Sequence, residues 1–268
     1  MSKIILITGS TDGIGLEAAK ALAATGHTVL LHGRNAAKLS AVKANHPAFA
    51  NSAAYQADLS SLGSVANLAA EIEAKHARLD VVINNAGVFK IANPITSEGL
   101  DLRFVVNTIA PYYLTKRLLS LMDGSGRVIN LSSAAQAPVD VAALTGKKKL
   151  ADGEAYAQSK LALTMWSRHM ADNTETGPAI IAVNPGSFLG TKMVKEAYGS
   201  EGKDIGIGSE ILTRLAIASE YADSNGKYFD NDIGKFGPPH PDALNPQKNK
   251  QIIDLMDAML PSLLKEKE

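Results

Sequence analysis

Short runs of apolar, β-branched residues alternate with longer helix-like stretches along nearly the whole chain, and no other feature restricts the possible folds so strongly. KIILIT precedes a helical pattern over 14–25, HTVLLHG one over 35–45 and AAYQAD one over 60–76. LDVVINNAG, a helix near 98–121, GRVINLSS, a helix near 152–172 and AIIAVNPG continue the series. Within IILIT, VVIN and RVINL the apolar residues are consecutive, as in strands covered by helices on both faces. Right-handed crossovers between such units predict an α/β fold with a doubly wound parallel sheet. Ligands on such sheets bind beyond the carboxyl ends of the strands, so residues just after strands are the candidates for function.

No internal repeat or long linker divides the 268 residues, which read as a single domain over 1–268. After an irregular segment following Gly186 come a helix near 208–219, a short strand at KYFD and a Pro-rich tail with a closing helix near 247–260; the tail, about 231–268, reads as integral to the domain. Formal net charge is zero with 46% hydrophobic and 20% charged residues, which argues against nucleic-acid and anionic-membrane partners and for a small molecule. KKK at 147–149 reads as a solvated face. The absence of cysteine excludes disulfides and thiolate chemistry and suits a cytoplasmic protein. His27, His32, His46, His76, His169 and His240 lack metal-binding spacing and read as surface or packing residues, so no metal is expected. MSKIILITG has no signal-peptide regions, and no apolar run approaches a membrane span.

TGSTDGIG follows the first strand and opens a helix. Gly9, Gly13 and Gly15 allow a tight turn and close backbone approach to a pyrophosphate, and the helix start offers free N–H groups to its oxygens. Ser10, Thr11, Asp12 and Ile14 share the loop, whose context after strand one indicates a dinucleotide site of the Rossmann type although the glycine spacing differs from G-x-G-x-x-G. The second strand ends in LHGRN, where an acid would bind ribose hydroxyls; Arg34, followed by Asn35, instead suits a 2′-phosphate and predicts NADP(H) over NAD(H). Asp12 works against that preference, since a nearby carboxylate repels phosphate.

Together these residues resemble the short-chain dehydrogenase/reductase family over nearly the whole chain. TGSTDGIG is similar to its TGxxxGxG loop, Asp58 and Leu59 to its adenine-contacting pair, and NNAG to its sheet-stabilising and nicotinamide-side motif, here Asn84, Asn85, Ala86 and Gly87. Asn107, Ser133, Tyr156 and Lys160 resemble its catalytic tetrad, and Asn184, Pro185 and Gly186 the segment flanking the nicotinamide. The loop before Tyr156 and the later NGKYFDND are similar to the branch of retinol dehydrogenases and related carbonyl reductases. Thr191, a family cofactor contact, lies one residue later than usual, and Ala110 replaces a frequent glycine.

Positions four apart share a helix face, so Tyr156 and Lys160 of YAQSK can enter one cleft. A free tyrosine has a pKa of about 10; a neighbouring ammonium and an oxidised nicotinamide are expected to lower it and make Tyr156 an acid/base. Ser133 is expected to hold the substrate oxygen and Lys160 the nicotinamide ribose. Pro111 has no N–H for the carbonyl of Asn107 and predicts a kink there; the resemblance implies that this carbonyl holds a relay water. It also implies a substrate loop over about 186–206, in which Phe188, Leu189, Met193, Val194 and Tyr198 are apolar and glycines at 190 and 199 permit closure. The resulting expectation is an NADPH-dependent carbonyl reductase or alcohol dehydrogenase acting on an apolar ketone, aldehyde or secondary alcohol. A non-catalytic NADP(H) sensor is the alternative from another class, and a homodimer or homotetramer through the Asn107 and Tyr156 helices is the family-implied assembly.

Overall fold

The computed structural model describes residues 2–265; Met1 and 266–268, the ends of the expected domain and tail, lie outside the described residues. Seven strands run parallel: β1 (Ile4–Ile7), β2 (Thr28–Gly33), β3 (Ala54–Gln56), β4 (Val81–Asn84), β5 (Arg127–Leu131), β6 (Ala179–Asn184) and β7 (Tyr228–Asp230). β8 (Lys235–Gly237) pairs antiparallel with β7 and closes the sheet in the order β3-β2-β1-β4-β5-β6-β7-β8. Strand order reverses between β1 and β4, which makes the crevice above them the switch point of a doubly wound sheet.

Consecutive apolar residues in the strands face opposite layers, as the sequence pattern requires. Leu6, Leu30, Val82, Val128 and Ile180 enter one core with helices α3 (Leu62–Lys75), α5 (Ala110–Leu118), α7 (Asp152–Asp172) and α10 (Pro246–Leu263). Ile5, Ile7, Leu31, Ile83, Ile129 and Val183 enter the other with α1 (Gly13–Ala24), α2 (Ala36–Asn45) and α9 (Gly206–Ile217). Short helices α4 (Leu102–Phe104), α6 (Val141–Leu144) and α8 (Lys192–Tyr198) lie in connections near the switch point.

The expected helix near 98–121 is not continuous. Between α4 and α5 the residues Val105–Ile109 widen into a π turn, in which Ala110 N–H reaches back to the Val105 carbonyl. The kink predicted from Pro111 is therefore combined with a π bulge, and Asn107 sits inside it. β8 was not legible as a strand: KFG is short and bordered by glycine and proline, and it is held by Phe236 against Phe229 at 5.1 Å and Tyr221 at 5.9 Å.

α10 lies across α5 and α7. Its Ile252, Ile253, Met256 and Leu260 are buried in the core that contains Trp166, and its Asp257 accepts hydrogen bonds from Tyr112 and Lys116 of α5, both at 2.9 Å. No helix among the described residues is long and apolar enough to cross a membrane, and none of their His, Asp and Glu form a cluster able to hold a metal.

Candidate active site

Parallel strands bring their carboxyl ends to one edge, so the segments after β1, β4, β5 and β6 meet there. The glycine loop is fastened to the end of β4. Thr8 Oγ1 accepts the N–H groups of Asn85 and Ala86 at 3.0 and 3.1 Å, while Asn85 Nδ2 donates to the carbonyls of Thr8 and Gly9 at 2.9 and 3.1 Å. A side chain at position 15 could not be accommodated, since a Cβ there would stand 2.3 Å from Asn85 Nδ2 and 2.5 Å from Gly9 O. Gly13, at φ 56°, meets only the Thr191 methyl within 4 Å, at 3.9 Å, so the start of α1 faces open space. Asp12 caps α1 by accepting the Gly13 N–H at 2.8 Å.

Ser10 is fully buried and exchanges hydrogen bonds with the His32 backbone, so its hydroxyl braces the loop. The His32 ring does the same from below: Nδ1 accepts the Gly9 N–H at 3.1 Å, which leaves Nε2 to donate to Ala57 O at 3.2 Å. Burial pushes its pKa down to about 4, so the ring is neutral. The Thr11 methyl lies where a Cβ on Gly33 would be within 2.7 Å, and Ile14 packs towards Gly208 of α9.

At the end of β2, Arg34 is exposed and Asn35 caps α2 by accepting the Lys38 N–H at 3.0 Å. Lys38 Nζ stands 4.0 Å from Asp12 Oδ2, so the acid expected to oppose a phosphate has a cation beside it. Asp58 is exposed, its carboxylate accepting from Ser60 N and Oγ at 2.9 and 2.8 Å. The Leu59 side chain is 6% exposed within the core, so at this position the backbone faces a ligand.

After β5 the two serines of NLSS divide their work. Ser132 is buried and donates to the Lys160 carbonyl at 3.1 Å, also bonding Thr164, which fixes α7 against the sheet. Ser133 Oγ accepts the Ala135 N–H at 3.1 Å and lies near enough to Tyr156 to act on its pKa, and its own carbonyl accepts from Gln136 at 2.9 Å and Tyr228 at 3.1 Å. The start of α7 is held by buried Arg103, whose guanidinium bonds both oxygens of Asp101 and one of Asp152. Asn107 bridges three elements: Oδ1 accepts the Val88 N–H at 2.8 Å, and Nδ2 donates to Val88 O and to Ser159 Oγ, both at 3.0 Å.

Lys160 is 4% exposed; its Nζ donates to Leu131 O at 2.6 Å and lies 5.7 Å from the Tyr156 ring centroid. A Cβ on Gly87 would stand 3.5 Å from this Nζ and 3.3 Å from Asn107 Oδ1, so Lys160 and Asn107 meet over a bare stretch of backbone. The expected lowering of the tyrosine pKa is not met in the protein alone. Burial raises Tyr156, the Ser133 hydrogen bond pulls it down less, and Tyr198 adds to the rise. Burial also lowers Lys160 to about 8, because its ammonium is directed at a carbonyl rather than at an opposite charge.

The segment after β6 is tied down by residues that follow β7. Asn184 Nδ2 donates to Asp230 and Asp232, both at 2.8 Å, and Asn231 Nδ2 donates to Pro185 O at 2.9 Å. Asp232 also accepts from Ser187 N at 2.8 Å and from its hydroxyl. Gly186, at φ 121°, precedes a turn in which Phe188 itself takes φ 57°. Thr191 caps α8 and lies over Gly13, so its later position in the sequence still brings it to the glycine loop. Leu189 corrects another expectation: it is 2% exposed and packed against Gly186 and Gly208, anchoring the loop instead of lining a substrate surface. Phe188 is exposed and Met193 half-buried. Phe89, absent from the sequence expectations, lies 4.8 Å from the Tyr156 ring. Only the fold reveals it, because nothing in VFK marks that phenylalanine as close to a residue on α7.

The protein-family model described as short chain dehydrogenase matches residues 3–202. The chain belongs to the short-chain dehydrogenase/reductase family. This short-chain dehydrogenase is 31% identical over 255 residues to human retinol dehydrogenase 13, covering 85% of the chain and 76% of that relative. It is 30% identical over 251 residues to the chloroplastic short-chain dehydrogenase TIC 32 A of Brassica napus, covering 84% and 78%. A short chain dehydrogenase from Shigella flexneri 2a strain 301, solved in complex with NADP, superposes with a TM-score of 0.68 at 27% identity, over 85% of this chain and 96% of that one. Membership makes the protein an oxidoreductase acting on CH–OH or C=O groups, and its resemblance is to the retinol dehydrogenase branch.

Proposed function

We propose that the protein is an NADPH-dependent carbonyl reductase, reversible as an alcohol dehydrogenase, acting on an apolar ketone, aldehyde or secondary alcohol. The observation that carries this reading is the convergence of Ser133, Tyr156 and Lys160, with the Ser133 hydroxyl close enough to act on the Tyr156 phenol and Lys160 buried beside its ring. The free space beside Gly13, at the start of α1, fits a pyrophosphate. Exposed Arg34 fits a 2′-phosphate, and the NADP bound to the Shigella relative supports the same preference.

A bound NADPH supplies the hydride. The chain's own residues do the rest. The glycine loop 9–15, Arg34, Asn35, Asp58 and Leu59 would hold the adenosine and phosphate end, with residues 85–87, Pro185, Gly186 and Thr191 towards the nicotinamide. Ser133 orients the substrate oxygen and donates to it as negative charge develops. Tyr156 gives its proton to that oxygen. Lys160 sits where it can bind the nicotinamide ribose and favour the phenolate once Tyr156 has lost its proton. Asn107 holds the turn at Val88 and ties it to α7 through Ser159, which keeps the tyrosine's helix in register with the cofactor side of the cleft.

Phe188 and Met193, with Ser133 and Tyr156, form the proposed substrate side, and the loop over about 186–206 its cover. A homodimer or homotetramer remains the proposed assembly, with α10 packed against α5 and α7 on that side. The zero net charge and lack of cysteine support a cytoplasmic setting. Tyr156→Phe should lower ketone-dependent NADPH oxidation by about 10²–10⁴-fold, the range of a lost general acid, while NADPH binding measured by fluorescence titration stays within about twofold. Undiminished turnover in the variant would sink the mechanism; no turnover of any ketone by the unmodified protein, with NADPH bound, would leave a cofactor sensor.

A further inference from the structure

Of the six histidines, all within the described residues, His32 alone is buried, at 2% exposure, and the proposed chemistry gives it no part. It stands one residue before the end of β2, which lies between β1 and β3 in the sheet. The segments that follow those two neighbours are the walls between which the adenosine half of a dinucleotide would lie: the glycine loop on one side, Ala57 to Leu59 on the other. The imidazole touches both. Nδ1 faces the Gly9 N–H at 3.1 Å and Nε2 the Ala57 carbonyl at 3.2 Å.

Those two partners settle the state of the ring. A backbone N–H can only donate and a carbonyl can only accept, so Nδ1 is bare and Nε2 carries the proton. Gly9 turns the chain out of β1 at φ 67°, and side chains hold both of its backbone groups: the His32 ring takes the N–H, and Asn85 Nδ2 donates to the carbonyl at 3.1 Å. A Cβ at this position would stand 3.0 Å from Ala86 Cα, so the turn is closely packed from the β4 side as well. Ser10 continues the attachment, its N–H donating to His32 O and its hydroxyl accepting the His32 N–H, both at 2.9 Å. The loop then runs to Gly13 and the start of α1, so the shape of the Gly9 turn is carried to the amides that would meet the pyrophosphate.

We propose that His32 is a positioning residue for the dinucleotide: its ring, oriented by the Ala57 carbonyl, holds the Gly9 amide and through it the glycine loop in the shape that the cofactor's phosphates require. The proposal rests on the reading of the glycine loop as the dinucleotide site. It adds the residue beneath that loop which sets affinity without taking part in proton or hydride transfer.

The test titrates adenosine 2′,5′-bisphosphate by calorimetry, and NADPH by fluorescence, into the full-length protein. His32→Leu removes both ring bonds and keeps an apolar side chain in the space. His32→Asn restores an acceptor at the place of Nδ1, because Oδ1 branches from the same carbon as that ring nitrogen, but it is too short to reach Ala57. Kd for both ligands should rise about 2- to 12-fold in His32→Leu, the factor of one ordinary hydrogen bond, and His32→Asn should recover most of the loss. In both variants kcat for ketone reduction at saturating NADPH should stay within about twofold of the wild type. A merely structural role would lower the melting temperature of both variants and leave Kd unmoved. Where leucine prevents folding, His32→Gln takes its place: its amide reaches towards Ala57 but branches one carbon beyond the position of Nδ1, so the same rise in Kd is expected. An unchanged Kd in these variants, or an equal rise in His32→Asn, would overturn the positioning role and leave the dinucleotide site standing. Failure of the wild-type protein to bind either ligand would overturn the dinucleotide reading, and the proposal with it.

Discussion

Replacing Lys160 by methionine should alter stability in a way that depends on pH, with a sign set by burial. The ammonium is 4% exposed and donates to Leu131 O at 2.6 Å, with no carboxylate among the causes acting on it. Its pKa falls from 10.5 to about 8 in the folded chain. Between those values the unfolded chain binds a proton that the folded chain has released, so this group makes stability rise with pH across the window. Below about pH 8 both states are charged and the fold bears the full cost of a buried cation, about 3 kcal/mol at about 1.4 kcal/mol per pH unit. Urea unfolding of the wild type and of Lys160→Met at pH 7 and pH 10 isolates the effect, because other titrating groups are common to both chains. The stability difference should move in favour of the wild type by about 2.5 kcal/mol between the two pH values. A difference constant to within about 0.5 kcal/mol from pH 7 to pH 10 would show that Lys160 is hydrated or paired, and the account of its burial would fall.

Arg34→Ala should raise the KM for NADPH by about tenfold or more, as expected for a charge-assisted bond to phosphate, with the KM for NADH changed by about twofold at most; equal effects on both cofactors would remove Arg34 from the phosphate site. His32, lowered to about 4 by burial, contributes stability that is complete above pH 6.5 and is lost as pH falls towards 4, up to about 3 kcal/mol. Acid unfolding followed by circular dichroism should therefore be less steep over that range in His32→Gln, and coincident transitions would refute the neutral, buried histidine.

The order of strands and helices was legible because burial on both sides leaves a coarse imprint. A strand such as VVIN must be apolar at every position when helices cover both faces, and that pattern survives without any knowledge of partners. β8 and the π turn left no such imprint. KFG becomes a strand only because Phe236 finds Phe229 and Tyr221, residues supplied by other segments. The widened turn at Val105–Ile109 depends on how α4 and α5 are each held, which a single helical period cannot express.

The same distinction separates the legible from the illegible parts of the site. Ser133, Tyr156 and Lys160 were visible because proton transfer demands particular functional groups, and those groups stand out against apolar strands and helices. The residues that position them do not stand out. His32 and Ser10 look alike in sequence to any surface histidine and serine, yet together they brace the glycine loop, the His32 ring accepting the Gly9 N–H and the Ser10 hydroxyl bonding the His32 backbone. Leu189 fails in the opposite direction: its apolar character suggested a substrate wall, but a leucine beside two glycines, Gly186 and Gly208, fills the space they leave and becomes an anchor. Exposure instead singles out Phe188 and Tyr198 as the large rings of that loop left facing solvent. Chemistry is thus read from residue type, while selectivity is read from which apolar side chains the packing leaves without partners.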